Sequence, residues 1–148
     1  MTFSNVSLEV LNLAFQSIFI NLPVKDLKKS TRFFKELGFV FNPQFSDETT
    51  SCMIGSEHIF VLIMTEEKFK RFTKKDITDT STSSEAIFCL SADSRAHVDG
   101  LVNSAVSAGG KTYRNPDDHG FMYIWGFEDI DGHLWEIAYM DPSALNES

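Results

Sequence analysis

The chain has little of what disulfide-stapled, membrane-spanning or nucleic-acid-binding proteins need. Its 148 residues include only 2 cysteines, Cys52 and Cys89, which cannot form a disulfide framework and are typical of a reducing compartment. No apolar run approaches the ~18 residues that cross a bilayer. Acidic residues outnumber basic ones 21 to 13, and the formal net charge of −8 disfavours contact with a phosphate backbone. We therefore expect no membrane partner and no nucleic-acid partner.

Familiar catalytic and targeting signals are also missing. The chain has no glycine-rich phosphate loop, no Cys-x-x-Cys pair and no recognisable Ser/His/Asp arrangement. Residues 1–15 carry no Lys or Arg ahead of their apolar stretch, so they lack the charged beginning of a signal peptide. We therefore expect a cytoplasmic protein.

Phenylalanine is the residue that the chain has in abundance. There are 14 Phe against 3 Tyr and 2 Trp, within an apolar fraction of 43% that is ordinary for one compact globular domain. Phenylalanine fills volume without needing a hydrogen-bond partner. The composition therefore predicts a wide dry interior or an aromatic-lined pocket.

Strand and helix signals follow the same order in the two halves of the chain. Asp26 is placed to cap a first helix that Gly38 ends, and Asp93 or Ser94 caps a second helix that ends before Gly109. Strands are predicted at residues 18–22, 39–41, 49–54, 58–64, 86–90, 111–113, 121–127 and 133–140. The segments are an N-terminal extension (1–14), a first βαβββ module with a trailing short helix (15–77), a flexible polar connector (78–84), a second βαβββ module (85–141) and a C-terminal tail (142–148).

The two modules can be aligned with each other. A shift of 68 places Leu22 on Leu90, and a shift of 75 places residues 58–62 on residues 133–137. An internal repeat of this kind determines the architecture. We expect an α+β fold in which two curved sheets, each backed by one helix, form a shared concave cleft.

Three motifs in this repeat resemble a known family. They are the opening LPVKDL at Leu22–Leu27, the pair Phe33 and Phe34, and the closing box EDIDGHLWEI at Glu128–Ile137. Together with the paired modules over about residues 16–141, they resemble the glyoxalase/bleomycin resistance protein/dioxygenase superfamily, also called vicinal oxygen chelate. The run DDHGFMY at Asp117–Tyr123 is similar to a subgroup described as lactoylglutathione lyase-like.

The resemblance implies a cleft that in many members holds a divalent ion, with ligands from the first and last strand of each module. The matching positions are Phe19, Val61, Ile87 and Glu136. Three of these side chains are hydrocarbon and cannot donate a lone pair to a metal. We therefore predict no cofactor and no family-type metal centre, with a Zn, Ni, Mn or Fe site held in part by Glu136 as the minor alternative.

Glu136 and His119 are the candidate catalytic residues. Strand alternation separates Glu136 from Trp135 and Ile137, and the resemblance places its carboxylate in the cleft, where it can act as a base or bind a cationic or hydroxylated ligand. His119 follows two carboxylates in a loop, where an imidazole can move protons near neutral pH. The predicted ligand-binding set is Phe19, Asn21, Val61, Ile87, Tyr123 and Trp125.

Three other polar side chains are assigned plain structural roles. Cys89 is expected to be a small buried hydrophobe, because nothing local would lower the pKa of its thiol. His58 and His133, at the starts of hairpin strands, are expected to be exposed.

Two functions remain open. The first is a homodimeric protein that binds a small organic molecule in the cleft, as a metal-independent lyase or isomerase. The alternative is a sequestering protein of the bleomycin-resistance type, in which an acidic cleft captures a cationic or aromatic compound. A metal-dependent lactoylglutathione lyase-like enzyme or dioxygenase is the minor alternative.

Overall fold

The structure, a computed structural model, describes residues 14–144. Nearly all of the predicted N-terminal extension (1–14) and residues 145–148 of the predicted tail lie outside this range. The strands are β1 (Ile18–Val24), β2 (Val40–Asn42), β3 (Thr50–Ile54), β4 (Ile59–Thr65), β5 (Ile87–Ala92), β6 (Asp117–Asp118), β7 (Met122–Glu128) and β8 (Leu134–Met140). The α-helices are α1 (Leu27–Glu36), α2 (Glu66–Phe69) and α3 (Arg95–Ser107), and a short 3-10 turn covers Pro43–Phe45.

The strands form two four-stranded mixed sheets with the same order. The first sheet has the order β1-β4-β3-β2 and the second β5-β8-β7-β6. In each, the first strand of the module runs parallel to the last, and the remaining neighbours are antiparallel. The predicted α+β class and the repeated βαβββ order are confirmed.

The strand predicted at 111–113 is wrong. Lys111 makes only an isolated bridge with Glu128, and the edge of the second sheet is formed instead by β6. Pro116 lies between these two pairings and has no N–H to donate to a ladder. Residues 112–116 therefore leave the sheet edge, and Tyr113 and Arg114 become available for other contacts.

The helix signals are confirmed in detail. The Asp26 carboxylate accepts a hydrogen bond from the Lys29 amide at 3.1 Å, and the Ser94 hydroxyl accepts one from the His97 amide at 3.0 Å. Gly38 and Gly109 follow the two helices with φ of +97° and +110°, a conformation that glycine adopts without strain.

Aromatic side chains join the two modules into one core. Phe34 of α1 packs edge-on against Trp135 of β8 with ring centroids 5.5 Å apart, and Phe33 lies 6.2 Å from Phe127 of β7. Helices α1 and α3 also contact each other on this side of the sheets. Phe33, Phe34 and Phe127 therefore fill a dry interior, whereas Phe15, Phe19, Phe45, Phe72 and Phe121 are exposed.

A polar junction lies beside this core, in the turn that precedes β8. Asp131 accepts a hydrogen bond from the Lys25 amide at 2.8 Å and another from the Ser30 hydroxyl. The backbone carbonyl of Asp131 accepts a hydrogen bond from Thr80 in the predicted connector. The turn thus ties the second module to the first module and to the connector.

The prediction that His133 is exposed is wrong, since only 3% of its surface is accessible. The ring lies between modules, with Nε2 2.8 Å from the Pro23 carbonyl and Nδ1 2.7 Å from the Glu85 carboxylate. The local sequence places His133 beside a hairpin turn, and such turns usually face solvent. Here the turn packs against β1.

Within residues 14–144, none of the helices combines the length and the apolar character that crossing a bilayer requires.

Removing the Phe34 ring should destabilise the whole molecule. Phe34 is 1% exposed and contacts the second module, so Phe34→Ala leaves a cavity in the shared core and should lower the free energy of unfolding by about 3–5 kcal/mol. Phe72 is 71% exposed, and Phe72→Ala should change that free energy by less than about 0.5 kcal/mol. Urea denaturation measures both, and equal effects would contradict a core that joins the modules.

Candidate functional site

Each sheet has one face covered by a helix, and its opposite face, called here the open face, is exposed along the edge strands β1 and β5. In β1 and β4, register places Phe19 beside Phe60 and Asn21 beside Leu62 on the open face. In β5 and β8, it places Ile87 beside Leu134 and Cys89 beside Glu136. Because α1 and α3 contact each other on the covered side, both open faces lie on the same side of the molecule. We call this concave surface the open cleft.

Apolar side chains form most of its floor and remain accessible. Phe19 is 57% exposed and Ile87 is 56% exposed, each on the edge strand of its sheet. The Phe19 ring stacks on the Phe60 ring at 4.8 Å with an interplanar angle of 12°. The floor thus presents an aromatic pair on the first module and aliphatic groups on the second.

Val61 does not belong to the open cleft. It is 2% exposed and lies in the core, whereas Leu62 occupies the open face beside Asn21. The shift of 75 used to align the modules is one residue too long, since β4 matches β8 by face at a shift of 74. In a strand, a slip of one residue moves a side chain to the other face. The residue equivalent to Glu136 is therefore Leu62.

Tyr123 and Trp125 also lie away from Glu136. They pair in register with Tyr139 and Ile137, on the covered face of the second sheet. The Tyr123 hydroxyl donates a hydrogen bond to Asp99 of α3 at 2.5 Å. The Trp125 indole N–H donates to the backbone carbonyl of Arg114 at 2.9 Å, and so holds that residue from the opposite side of the sheet.

Glu136 is the polar centre of the open cleft. Its side chain is 18% exposed, and its Oε1 accepts hydrogen bonds from Arg114 Nη2 at 2.8 Å and from the Tyr113 hydroxyl at 3.2 Å. Arg114 also pairs with Asp117 through Nη1. A carboxylate held by two donors has a defined orientation, and among residues 14–144 no side chain donates to its Oε2.

Both donors of Glu136 stay protonated near neutral pH. Burial, and then the charge and hydrogen bond of Glu136, raise the pKa of Tyr113 to about 12. The hydrogen bond to Glu136 raises the pKa of Arg114, although burial of the guanidinium opposes this effect. Neither side chain acts as a base near neutral pH, so the acceptors in this cluster are the carboxylate oxygens of Glu136 and Asp117.

Gly126 makes this cluster possible. It lies opposite Glu136 in the ladder, and a Cβ built there would be 2.5 Å from the Trp135 carbonyl oxygen and 2.7 Å from the Tyr113 hydroxyl. The lack of a side chain lets Tyr113 cross over β7 to reach Glu136.

The expectation that Cys89 is buried is wrong, because the residue is exposed in the open cleft. Partial desolvation of its thiol, and then the nearby charge of Glu136, raise the pKa of Cys89. The thiol is therefore a neutral contact surface and not an activated nucleophile.

His119 makes no hydrogen bond with Glu136, Arg114 or Tyr113 within residues 14–144. Its side chain is exposed, and its ring lies 6.4 Å from that of Phe121. Arg95 of α3 secures this loop by donating to Asp118 at 3.0 Å and to the Gly120 carbonyl at 2.8 Å. None of the hydrogen bonds in the described part of the chain links the His119 ring to Glu136.

The donor set at the family's metal positions does not fit a divalent ion. With Leu62 in place of Val61, the four positions hold Phe19, Leu62, Ile87 and Glu136, and only the last has a lone pair to donate. Across residues 14–144, no group of three or more His, Cys, Asp or Glu side chains is arranged to hold a metal ion.

Sequence reasoning missed Tyr113 and Arg114. Both lie in or next to the predicted strand that does not form, and their contacts with Glu136 span 23 and 22 positions of the chain. Asn115 and Pro116, directly after them, were the available sign that this segment leaves the sheet.

A methyl group at Gly126 should disrupt the cluster. Gly126→Ala should lower the free energy of unfolding by about 1–3 kcal/mol, because a backbone oxygen blocks the space that a Cβ needs. Gly100, in α3, has no atom within 4 Å of the place that a Cβ would take, and Gly100→Ala should raise the free energy by about 0.5–1 kcal/mol. Thermal or urea denaturation checks the opposite signs, and a stabilising Gly126→Ala would contradict the geometry.

Comparison with known proteins agrees with this architecture. The family model described as Glyoxalase/Bleomycin resistance protein/Dioxygenase superfamily matches residues 16–137. The comparison with curated proteins finds no match.

Solved structures share the fold. A hypothetical protein from S. aureus is 27% identical, with 84% of this chain and 93% of that chain covered at a TM-score of 0.72. A glyoxalase-related enzyme from Fulvimarina pelagi is 23% identical, with 84% and 87% covered at a TM-score of 0.69. A genomically encoded fosfomycin resistance protein from Listeria monocytogenes is 20% identical, with 82% and 88% covered at a TM-score of 0.58. With its paired βαβββ modules and a family match over most of its length, the chain belongs to the Glyoxalase/Bleomycin resistance protein/Dioxygenase superfamily.

Proposed function

We propose that this protein binds a small organic molecule in the open cleft, with Glu136 as the principal polar contact and without a metal ion. The observation that carries the proposal is a single oriented carboxylate on a mostly apolar surface. Binding sites commonly combine apolar walls with a few well-placed polar groups. Phe19 and Phe60 supply the aromatic wall, and the Oε2 atom of Glu136 is the available acceptor.

The charge of the cluster favours a ligand that donates hydrogen bonds. Arg114 is shared between Glu136 and Asp117, so three ionised side chains leave one net negative charge. A ligand with an amine, amide or hydroxyl group can pair with Oε2, while its apolar part covers the hydrocarbon floor. An anionic ligand would be repelled at this point.

Metal independence is supported by the chemistry of the side chains. An ion bound at the family's position would lose most of its water in exchange for one carboxylate, with Phe19, Leu62 and Ile87 as its other neighbours. Hydrocarbon groups do not compensate for that dehydration. The proposed chemistry therefore uses only the protein's own groups.

Two activities fit this site. As a metal-independent lyase or isomerase, the protein would use Oε2 of Glu136 to accept a proton from the bound ligand, because no described side chain donates a hydrogen bond to that oxygen. As a sequestering protein, it would hold a cationic or aromatic compound without changing it. Because the exposed His119 side chain makes no hydrogen bond with Glu136 in the described part of the chain, we favour a reaction with Glu136 as its single base.

A homodimer is part of the proposal. The exposed apolar side chains of β1 and β5 at the open cleft, Phe19 and Ile87, are each more than half accessible. A second copy of the chain, whose modules present the same kind of surface, is the partner that we propose for them. A cytoplasmic location is proposed with it, and the free thiols of Cys52 and Cys89 are consistent with a reducing compartment.

Replacing Glu136 should weaken ligand binding. In a thermal-shift screen of aromatic amines, aromatic alcohols and aromatic acids, amines and alcohols should stabilise the protein. Glu136→Gln should weaken their binding by roughly 10–100-fold in calorimetric titration, since it removes a charge-assisted hydrogen bond.

The matched control is Glu57→Gln, which changes a carboxylate that is 94% exposed and should leave binding unchanged. Conversion of a bound hit by the wild type, lost in Glu136→Gln, would identify an enzyme, and binding without conversion a sequestering protein. Equal ligand affinity in the wild type, Glu136→Gln and Glu57→Gln would contradict a role for Glu136. Stoichiometric Zn, Ni, Mn or Fe in protein purified without chelator would contradict metal independence.

Light scattering should detect the dimer. Wild type is expected at twice the chain mass at micromolar concentration, and Phe19→Glu should shift it to the monomer by placing a charge on the apolar floor. Phe72→Glu, at another exposed phenylalanine, should remain a dimer. A monomeric wild type at all concentrations would refute this part of the proposal.

A further inference from the structure

His133 has two partners that can only accept hydrogen bonds. Its Nδ1 lies 2.7 Å from Glu85 Oε1, and its Nε2 lies 2.8 Å from the Pro23 carbonyl oxygen. A neutral imidazole carries one N–H and can donate to only one of them. Both contacts are satisfied together only when both ring nitrogens are protonated.

We propose that His133 is a buried imidazolium that binds the two modules together, and that its deprotonation loosens their junction. Each of its contacts reaches a different part of the chain, because Pro23 belongs to β1 and Glu85 precedes β5. Loss of either proton removes one donor and leaves an acceptor of the junction without its partner. The side chain of His133 is 2% exposed and that of Glu85 is 30% exposed, so the protein shields most of the contact from the water that would replace the lost donor.

The surroundings of His133 favour a positive charge. Asp129, in the same turn, is 5% exposed and accepts hydrogen bonds from the His133 amide at 3.0 Å and from the Trp135 indole at 2.9 Å. The charged groups around the ring and its adjoining cavity of about 470 Å³ are the carboxylates of Glu66, Asp76, Asp79, Glu85, Asp129 and Asp131 and the amines of Lys25 and Lys70. Carboxylates outnumber amines, so the local field stabilises the imidazolium.

The direction of the pH dependence follows from this balance. Burial by itself lowers the pKa of His133, but the charge of Asp129, the Pro23 carbonyl and Glu85 outweigh it and raise the pKa above its ordinary value of 6.5. The contribution of protonated His133 to the free energy of unfolding is therefore fully present below pH 6.5. It is lost as the pH rises through the higher pKa that His133 has in the folded state. The junction titrates in this way whether or not the open cleft binds a ligand.

Imidazole NMR of the full chain tests the proposal. Two-bond ¹⁵N–¹H correlation at pH 7 should show protons on both ring nitrogens of His133, assigned by comparison with His133→Gln. In Glu85→Gln, the new amide can donate to Nδ1, so a neutral ring satisfies both contacts. The titration midpoint of His133 should then fall by about one pH unit, a tenfold loss of proton affinity.

Urea denaturation supplies a second readout. Between pH 6 and pH 9, wild type should lose more stability than Glu85→Gln, and His58→Gln, at a ring that is 67% exposed, should behave like wild type. A single ring proton on His133 in wild type at pH 7 would overturn the proposal. So would a midpoint that is unchanged in Glu85→Gln.

Discussion

The packing of aromatic rings between the modules is the interaction on which the rest of the structure depends. Phe34 of α1 contacts Trp135 of β8, and Phe33 approaches Phe127 of β7, so the first module's helix shares a core with the second module's sheet. Successive side chains of a strand point to opposite faces of the sheet, so the residue after Trp135 must face away from this core. Glu136 projects from the other face, where the helices do not reach, and becomes the polar centre of the open cleft.

The site and the junction lie on the same strand and its preceding turn. The turn from Asp129 to His133 docks on β1 and the connector, and β8 continues directly from it to Glu136. Glu136 is in turn oriented by Tyr113 and Arg114, whose segment leaves the sheet edge before Pro116. The position of the carboxylate in the cleft thus depends on how the modules are joined as well as on local strand geometry.

Periodicity and capping signals predicted most of the architecture because they act over short distances. Asp26 and Ser94 cap their helices through the side chain's own neighbours, and the alternation of Trp135, Glu136 and Ile137 follows from strand geometry alone. The repeat was detectable for the same reason. The predicted alignment of β4 with β8 was wrong by one residue. It placed Val61 in the open cleft, where the structure has Leu62.

The sequence by itself determined the α+β class, the paired modules, the helix ends and the separation of Glu136 from the face of Trp135 and Ile137, because each depends on the spacing of neighbouring residues. Only the tertiary structure decided that Tyr113 and Arg114 bind Glu136, that Tyr123 and Trp125 face α3, and that His133 is buried between modules. These contacts join residues far apart in the chain, and their partners are chosen by the packing of one module on the other. No local pattern carries that information.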